Sequence, residues 1–161
     1  MALNTVNIRE ATLKDISQLV TLNMQVHNLH VEIEPSIFCD LSVDSLASSI
    51  EQTLNDENST ILIAEINNRI VGYALLQKRI RPKFVMMHER KCVYIDQVCV
   101  SEQYRNQGIF KQLLNVSKQL AKQWGLNRLE LDVWSNNLDA KQSFLQSGFE
   151  PYNEKMKIDL K

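Results

Sequence analysis

The chain has 161 residues, 44% apolar and 23% charged, the proportions of one globular domain over residues 1–161 with one core. No apolar run approaches the roughly 18 residues that mark a membrane span, and the opening Met1-Ala2-Leu3-Asn4-Thr5 lacks the basic-then-apolar order of a signal peptide. A cytoplasmic location and no membrane partner are therefore expected, and the net charge of −1 argues against nucleic acid as a partner.

Val6-Asn7-Ile8-Arg9 alternates and predicts a first strand. Thr12 and Asp15 form a variant capping box, and a helix follows to about His30, with Pro35 ending the pattern. A second helix is predicted over about Val43 to Leu54. Thr60 to Ile66 and Ile70 to Gln77 read as two strands joined by Asn67-Asn68, residues that tolerate the positive φ of a tight hairpin. A basic loop, Lys78 to Lys83, is expected to be a solvated hairpin, and Cys92 to Val100 reads as a strand. The apolar positions Ile109, Leu113, Val116, Leu120 and Trp124 recur at helical spacing, predicting a helix from about Gly108 to Trp124 closed by Gly125. Leu129 to Val133 reads as a strand, Asn137 to about Ser147 as a helix closed by Gly148, and Tyr152 to Ile158 as a last strand. This order implies an α/β (α+β) fold, a mixed sheet with helices on both faces.

Cys39, Cys92 and Cys99 contain no Cys-x-x-Cys and are odd in number, so the expectation is three small buried hydrophobes rather than a disulfide or zinc framework. His27, His30 and His88 have no further ligand at suitable spacing, so no metal is expected. Charge is unevenly spread. From Asp15 to Asn68 there is no Lys or Arg, while Asp15, Glu32, Glu34, Asp40, Asp44, Glu51, Asp56, Glu57 and Glu65 fall in that stretch. The rest of the chain is basic, which fits one cationic and one anionic partner.

The segment from Val98 to Phe110 is a strand, a polar turn and a helix that begins at a glycine. The first N–H groups of a helix lack internal partners, and the helix dipole favours an anion there. A phosphate or pyrophosphate suits such a site. Gly108 permits close approach, Arg105 adds a planar cation, and Lys111 adds charge in the first turn. Neither a dinucleotide-binding Gly-x-Gly-x-x-Gly nor a P-loop is present.

On these residues the chain resembles the GNAT superfamily of N-acetyltransferases. Its signature Gln/Arg-x-x-Gly-x-Gly/Ala corresponds to Arg105-Asn106-Gln107-Gly108-Ile109-Phe110, preceded by the family-like Tyr94-Ile95-Asp96-Gln97-Val98-Cys99-Val100. A second pattern, Asn-x-x-Ala-x-x-x-Tyr-x-x-x-Gly-Phe, corresponds to Asn137, Ala140, Phe144, Gly148 and Phe149, and the opening Ile8-Arg9-Glu10-Ala11-Thr12 with Asp15 is also family-like. The resemblance implies a GNAT-like fold with a central, mostly antiparallel mixed sheet. It also implies acetyl-CoA as cosubstrate, and transfer of its acetyl group to a primary amine by direct attack. The backbone from Arg105 through Asn106, Gln107, Gly108, Ile109 and Phe110 is then expected to hold the CoA pyrophosphate, with Lys111 beside it. Val98, Cys99 and Val100 would line the pantetheine arm, Asn137 would contact the cofactor, and Ala140 would leave room for it.

Two positions depart from the pattern. Phe110 stands where a small residue is usual, and its side chain must point away from the phosphates. Phe144 replaces the tyrosine that protonates the departing thiolate in many members, leaving Tyr152 or Tyr104 as substitutes. A free thiol has a pKa of about 8.5, so a thiolate is a tolerable leaving group even without an acid. Asp96, in a strand expected to be central and mostly buried, is the candidate base, and a backbone N–H near Val98 the candidate oxyanion donor. An acidic early region implies a cationic small molecule or peptide as acceptor, with Glu32 and Glu34 contributing. Paired sheets make a homodimer compatible with this fold. The alternative reading is a non-catalytic acyl-CoA-binding regulatory module, favoured by Phe110 and Phe144.

Overall fold

The computed structural model describes residues 5–160. Most of the Met1-to-Thr5 stretch read above as lacking a signal lies outside the described residues. Strand β1 spans Asn7–Glu10. A 3-10 turn, Leu13–Asp15, leads into helix α1, Ile16–Ile33, and helix α2 spans Val43–Leu54. Strands β2, Ser59–Ile66, β3, Arg69–Arg81, and β4, Arg90–Val100, follow. After a second 3-10 turn, Glu102–Tyr104, come helix α3, Ile109–Gln123, strand β5, Leu129–Glu130, and helix α4, Leu138–Gln146.

The sheet has the order β1-β2-β3-β4-β5, antiparallel except for the parallel β4–β5 pair. Both of its faces are covered. That is why Ile61, Leu62, Ile63 and Ala64 form a continuous apolar run instead of alternating with polar residues. Leu62, Ala64, Leu76, Val93 and Ile95 pack under Ile109, Leu113 and Ala121 of α3. Ile61, Ile63, Tyr73 and Leu75 pack under Leu19 and Leu22 of α1 and Leu46 and Ile50 of α2. Asn67 and Asn68 take φ of 50° and 63°, the left-handed pair that a two-residue hairpin requires.

A half-buried ion network pins β1 to the sheet and to α1. Arg9 donates to both carboxylate oxygens of Asp15 at 2.9 Å and to Glu65 at 2.9 Å. Asp15 also accepts from the Thr12 N–H at 2.8 Å. The Arg9 guanidinium is the main reason the Asp15 carboxyl sits at about 2.

Four expectations are corrected. β3 continues to Arg81, so Lys78 to Arg81 belong to a strand paired with β4 and only residues 82–89 form the loop. β5 has two residues instead of reaching Val133. Tyr152 to Ile158 forms no strand, because β5 offers too short an edge for it to join, and residues 150–160 stay exposed. Of the cysteines, Cys92 is buried and Cys99 half-buried, but Cys39 is exposed in the α1–α2 loop, beyond reach of either core.

Candidate active site

β3 and β4 change register between Leu75 and Leu76. Leu75 faces Gln97 and Leu76 faces Ile95, leaving Asp96 as the extra residue of a bulge. The bulge flips the alternation of β4, so that Ile95 and Val98 both point to the α3 face. Pairing with β5 stops at Tyr94, where Val93 faces Leu129 and Tyr94 faces Glu130. From Ile95 to Val100 no strand lies against the outer edge of β4 among the described residues. Ser101 N–H donates to Val71 O at 2.8 Å, toward β3. By alternation, the N–H groups of Val98 and Val100 face the open edge.

The open edge leads into the β4–α3 loop. Asn106 and Gly108 both have left-handed φ, 61° and 77°, within three residues. A Cβ on Gly108 would meet no atom within 4 Å, so conformation rather than space requires glycine there. The first helical bond of α3 runs from Gln112 N–H to Gly108 O, and no side chain caps the helix. The N–H groups of Ile109, Phe110 and Lys111 therefore have no intrahelical partner, a donor set that fits a polyphosphate. Arg105 stands at this loop with its Nε donating to Val100 O at 3.2 Å, while Gln107 bonds the Gln103 carbonyl. Cys99 faces the opposite side of the sheet, toward α1 and α2, where burial pushes its thiol up to about 11.

Asn137 is the N-cap of α4, its side-chain oxygen accepting from Ala140 N–H at 3.3 Å. This holds Asn137 and Ala140 together at one helix start. Phe144 sits in an aromatic row, 5.7 Å from Phe110 on one side and 5.7 Å from Phe149 on the other. The ring of Phe110 is thus directed at α4.

Asp96 is less buried than its strand position implies. Its side chain is 37% exposed, because the bulge turns it out of the core. Partial burial still raises its carboxyl above the ordinary value, while Arg79, 3.7 Å away, pulls it down. Arg79 is itself held by the Tyr94 ring, 3.3 Å below the guanidinium, and by Gln77. Tyr94 donates to Asp132 at 2.7 Å, tying β4 to the segment after β5. Next to Asp96, the Gln97 oxygen accepts from Asn23 at 2.6 Å and from the buried Tyr73 hydroxyl at 2.9 Å. These contacts anchor α1 to the bulge. Arg79, Gln97, Asn23 and Tyr73 were not anticipated from sequence, because their roles come from contacts between residues distant in the chain.

Tyr152 is exposed and donates to Glu130 at 3.0 Å, with Arg128 over its ring. It is placed beside β5, and no contact joins it to Asp96 or to the β4–α3 loop among the described residues. Tyr104 packs against the core under α3.

Starting at Met24, next to Asn23, a groove of about 360 Å³ is lined by residues that include His27, Val31, Glu32, Asp40 and Leu41. Phe38 of the α1–α2 loop meets Trp134 of the segment after β5 edge-on at 5.5 Å and stacks on His30, with His27 also beside it. That contact joins the α1–α2 loop to the segment after β5. Glu34 stands at the C-cap of α1, outside the groove lining.

Residues 23–149 match the acetyltransferase (GNAT) family. The chain is 24% identical over 144 residues to the uncharacterized N-acetyltransferase YhfO of Bacillus subtilis, covering 89% of each. It also matches two chloroplastic GCN5-related N-acetyltransferases of Arabidopsis thaliana, spanning only 21% and 19% of their lengths. Among solved structures, a single-site mutant of the BH1408 protein from Bacillus halodurans has a TM-score of 0.91 at 29% identity, over 96% of this chain and 99% of that one. The fold is also that of the aminoglycoside N-acetyltransferase AAC(6')-Iy in complex with CoA, with a TM-score of 0.78 at 18% identity, over 97% and 95% of the two chains. The chain belongs to the acetyltransferase (GNAT) family of acetyl-CoA-dependent N-acetyltransferases.

Proposed function

We propose that residues 1–161 act as one catalytic unit in the cytoplasm, moving acetyl from acetyl-CoA to a primary amine of a cationic small molecule or peptide. The observation that carries this reading is the continuity of three features. The open edge of β4 runs from the Asp96 bulge to the uncapped start of α3, and an acidic groove begins at Met24, next to the residue that anchors α1 to that bulge.

The residues divide the work by chemistry. The N–H groups from Asn106 through Phe110, with the Arg105 guanidinium and Lys111, hold the pyrophosphate; the Arg105 N–H itself is taken by Glu102 O at 3.2 Å. The open N–H of Val100 pairs with an amide of the pantetheine arm, which runs beside Val98 and Cys99 and leaves the Val98 N–H for the thioester carbonyl. Asn137 and Ala140 meet the cofactor from α4. Acetyl-CoA supplies an activated thioester. Asp96 takes the proton of the incoming ammonium, directly or through one water, so that a neutral amine attacks the carbonyl carbon. Val98 N–H bonds the oxygen on which negative charge develops. The new C–N bond forms, the C–S bond breaks with its electron pair leaving on sulfur, and the nitrogen gives up its second proton to the departing thiolate or to water, leaving a neutral amide. Phe144 has no proton to give. Tyr152 can serve as the acid only after its hydroxyl leaves Glu130, and a thiol pKa of about 8.5 lets the sulfur leave without one.

For the acceptor, Glu32 and Asp40 in the groove replace the pair Glu32 and Glu34 anticipated from sequence. A thiol-release screen over amines, polyamines first, tests the reading. Glu32→Lys with Asp40→Lys should raise the KM for a cationic acceptor about 10-fold or more while leaving the KM for acetyl-CoA nearly unchanged. An unchanged acceptor KM would remove the cationic assignment. Tight CoA binding with no thiol release on any amine would select the non-catalytic module instead.

A further inference from the structure

The β3–β4 hairpin carries a feature that acetyl transfer does not use. Phe84 and Met87 close its tip with two reciprocal backbone hydrogen bonds of 3.0 Å. This tight turn drives Val85 and Met86 outward, 92% and 88% exposed, and Ile80, Phe84 and Met87 are exposed beside them. Five large apolar side chains in water at one end of the molecule form a patch of the kind that marks an interaction surface. From Lys78 to Lys91 the hairpin carries six Lys or Arg residues against the single acid Glu89, in a chain whose net charge is −1; Arg79 is committed to Asp96 and Lys78 to the Trp124 ring, and the others lie nearer the tip. Glu89 is already paired with Lys91 at 2.8 Å. Arg81 and Lys83 next to the tip are exposed and form no ion pair among the described residues.

We infer that this hairpin docks on an anionic lipid surface, the tip entering the headgroup layer and the cations meeting lipid phosphates. Charge and apolarity together select this occupant. A nucleic acid would satisfy the cations but leave Val85 and Met86 in water. A second copy meeting tip to tip would bring an equally basic hairpin against the first. An anionic bilayer offers negative charge at its surface and an apolar layer beneath it, the pairing that basic, apolar-tipped elements exploit. No helix of the described residues is long and apolar enough to cross a membrane.

Co-sedimentation of the full chain with vesicles tests the inference. Phosphatidylcholine vesicles containing phosphatidylglycerol should bind the protein at least about 10-fold more strongly than pure phosphatidylcholine, with the difference shrinking in high salt. Val85→Asp with Met86→Asp should lower binding about 10-fold or more, and Arg81→Glu with Lys83→Glu should remove the preference for the anionic lipid. Both pairs lie outside the candidate site, so acetyl-CoA binding should not change, and the lipid readout does not depend on acetyl transfer. Absence of binding to the anionic vesicles would overturn the inference, as would equal binding by the Val85/Met86 variant. A lipid-free dimer that this variant converts to monomer would also overturn it, by placing a second copy on the tip.

Discussion

Phe110 at the start of α3 and Phe144 on α4 meet edge to face, with ring centroids 5.7 Å apart and planes at 67°. These are the two positions where the chain departs from its family's pattern, and in the structure they are one contact. The bulk added at Phe110 fills the space beside the residue that replaces the usual tyrosine. α4 has no buried residue of its own, so this row of rings is a principal tie between α4 and the body. A double-mutant cycle with Phe110→Ala and Phe144→Ala should give a coupling of about 0.5–1.5 kcal/mol in chemical denaturation, the range for aromatic pairs. Additive losses would mean that the rings act independently.

Asp96 should behave as a base whose ionisation Arg79 assists. Asp96→Asn should lower kcat/KM about 10²–10⁴-fold, the usual worth of general base catalysis. The wild-type pH profile should lose activity on the acid side as the carboxylate protonates. Arg79→Ala removes the cation that pulls this carboxyl down, so its pKa rises and the acid limb moves to higher pH. A limb that stays in place in Arg79→Ala would separate Asp96 from the observed titration.

Gly108→Ala separates conformation from space. No atom lies within 4 Å of the added Cβ, but φ is 77°. The strain of a left-handed alanine is roughly 1–2 kcal/mol, so thermal unfolding should shift by only a few degrees. Acetyl-CoA affinity should fall about 10-fold or more, because the N–H groups around the helix start lose their aim. A large loss of stability with unchanged affinity would contradict this separation.

The Arg9–Asp15–Glu65 network gives stability that depends on acid. Asp15 is held at about 2, below its ordinary carboxyl value, and its side chain is only 8% exposed. A depressed carboxyl contributes fully above its unfolded pKa of about 3.9 and loses the contribution as pH falls toward 2. Arg9 is partly open to solvent, so screening reduces the effect to about 1–2 kcal/mol. Asp15→Asn should therefore unfold roughly 3–6 °C earlier at pH 7, and the difference should shrink steadily below pH 4. A constant difference from pH 7 to pH 2.5 would refute it.

Local signals in the sequence carried the elements that local chemistry decides. The helix expected over about Val43 to Leu54 has those bounds as α2, with the Ser42 side chain accepting from Ser45 N–H at its start. The Asn67-Asn68 hairpin and the glycine start of α3 were legible because only certain residues accept positive φ. The loop that offers its N–H groups was legible for the same reason. The Asp96 bulge was not, since a bulge is defined by the register of two strands and β4 alone reads as unbroken. The same holds for Arg79 stacked on Tyr94, Gln97 gripped from α1 and β3, and Phe38 against Trp134, all contacts between distant segments. Tyr152 to Ile158 has strand-like residues, but pairing depends on a neighbouring edge that its own sequence does not encode.

The most direct test of the cofactor site is a calorimetric titration of the purified chain with acetyl-CoA. Saturable binding with a micromolar Kd, weakened by Gly108→Ala and by Arg105→Ala, is the expected result. No detectable heat at millimolar acetyl-CoA, from a protein that unfolds cooperatively, would contradict the assignment of the β4–α3 loop as that site.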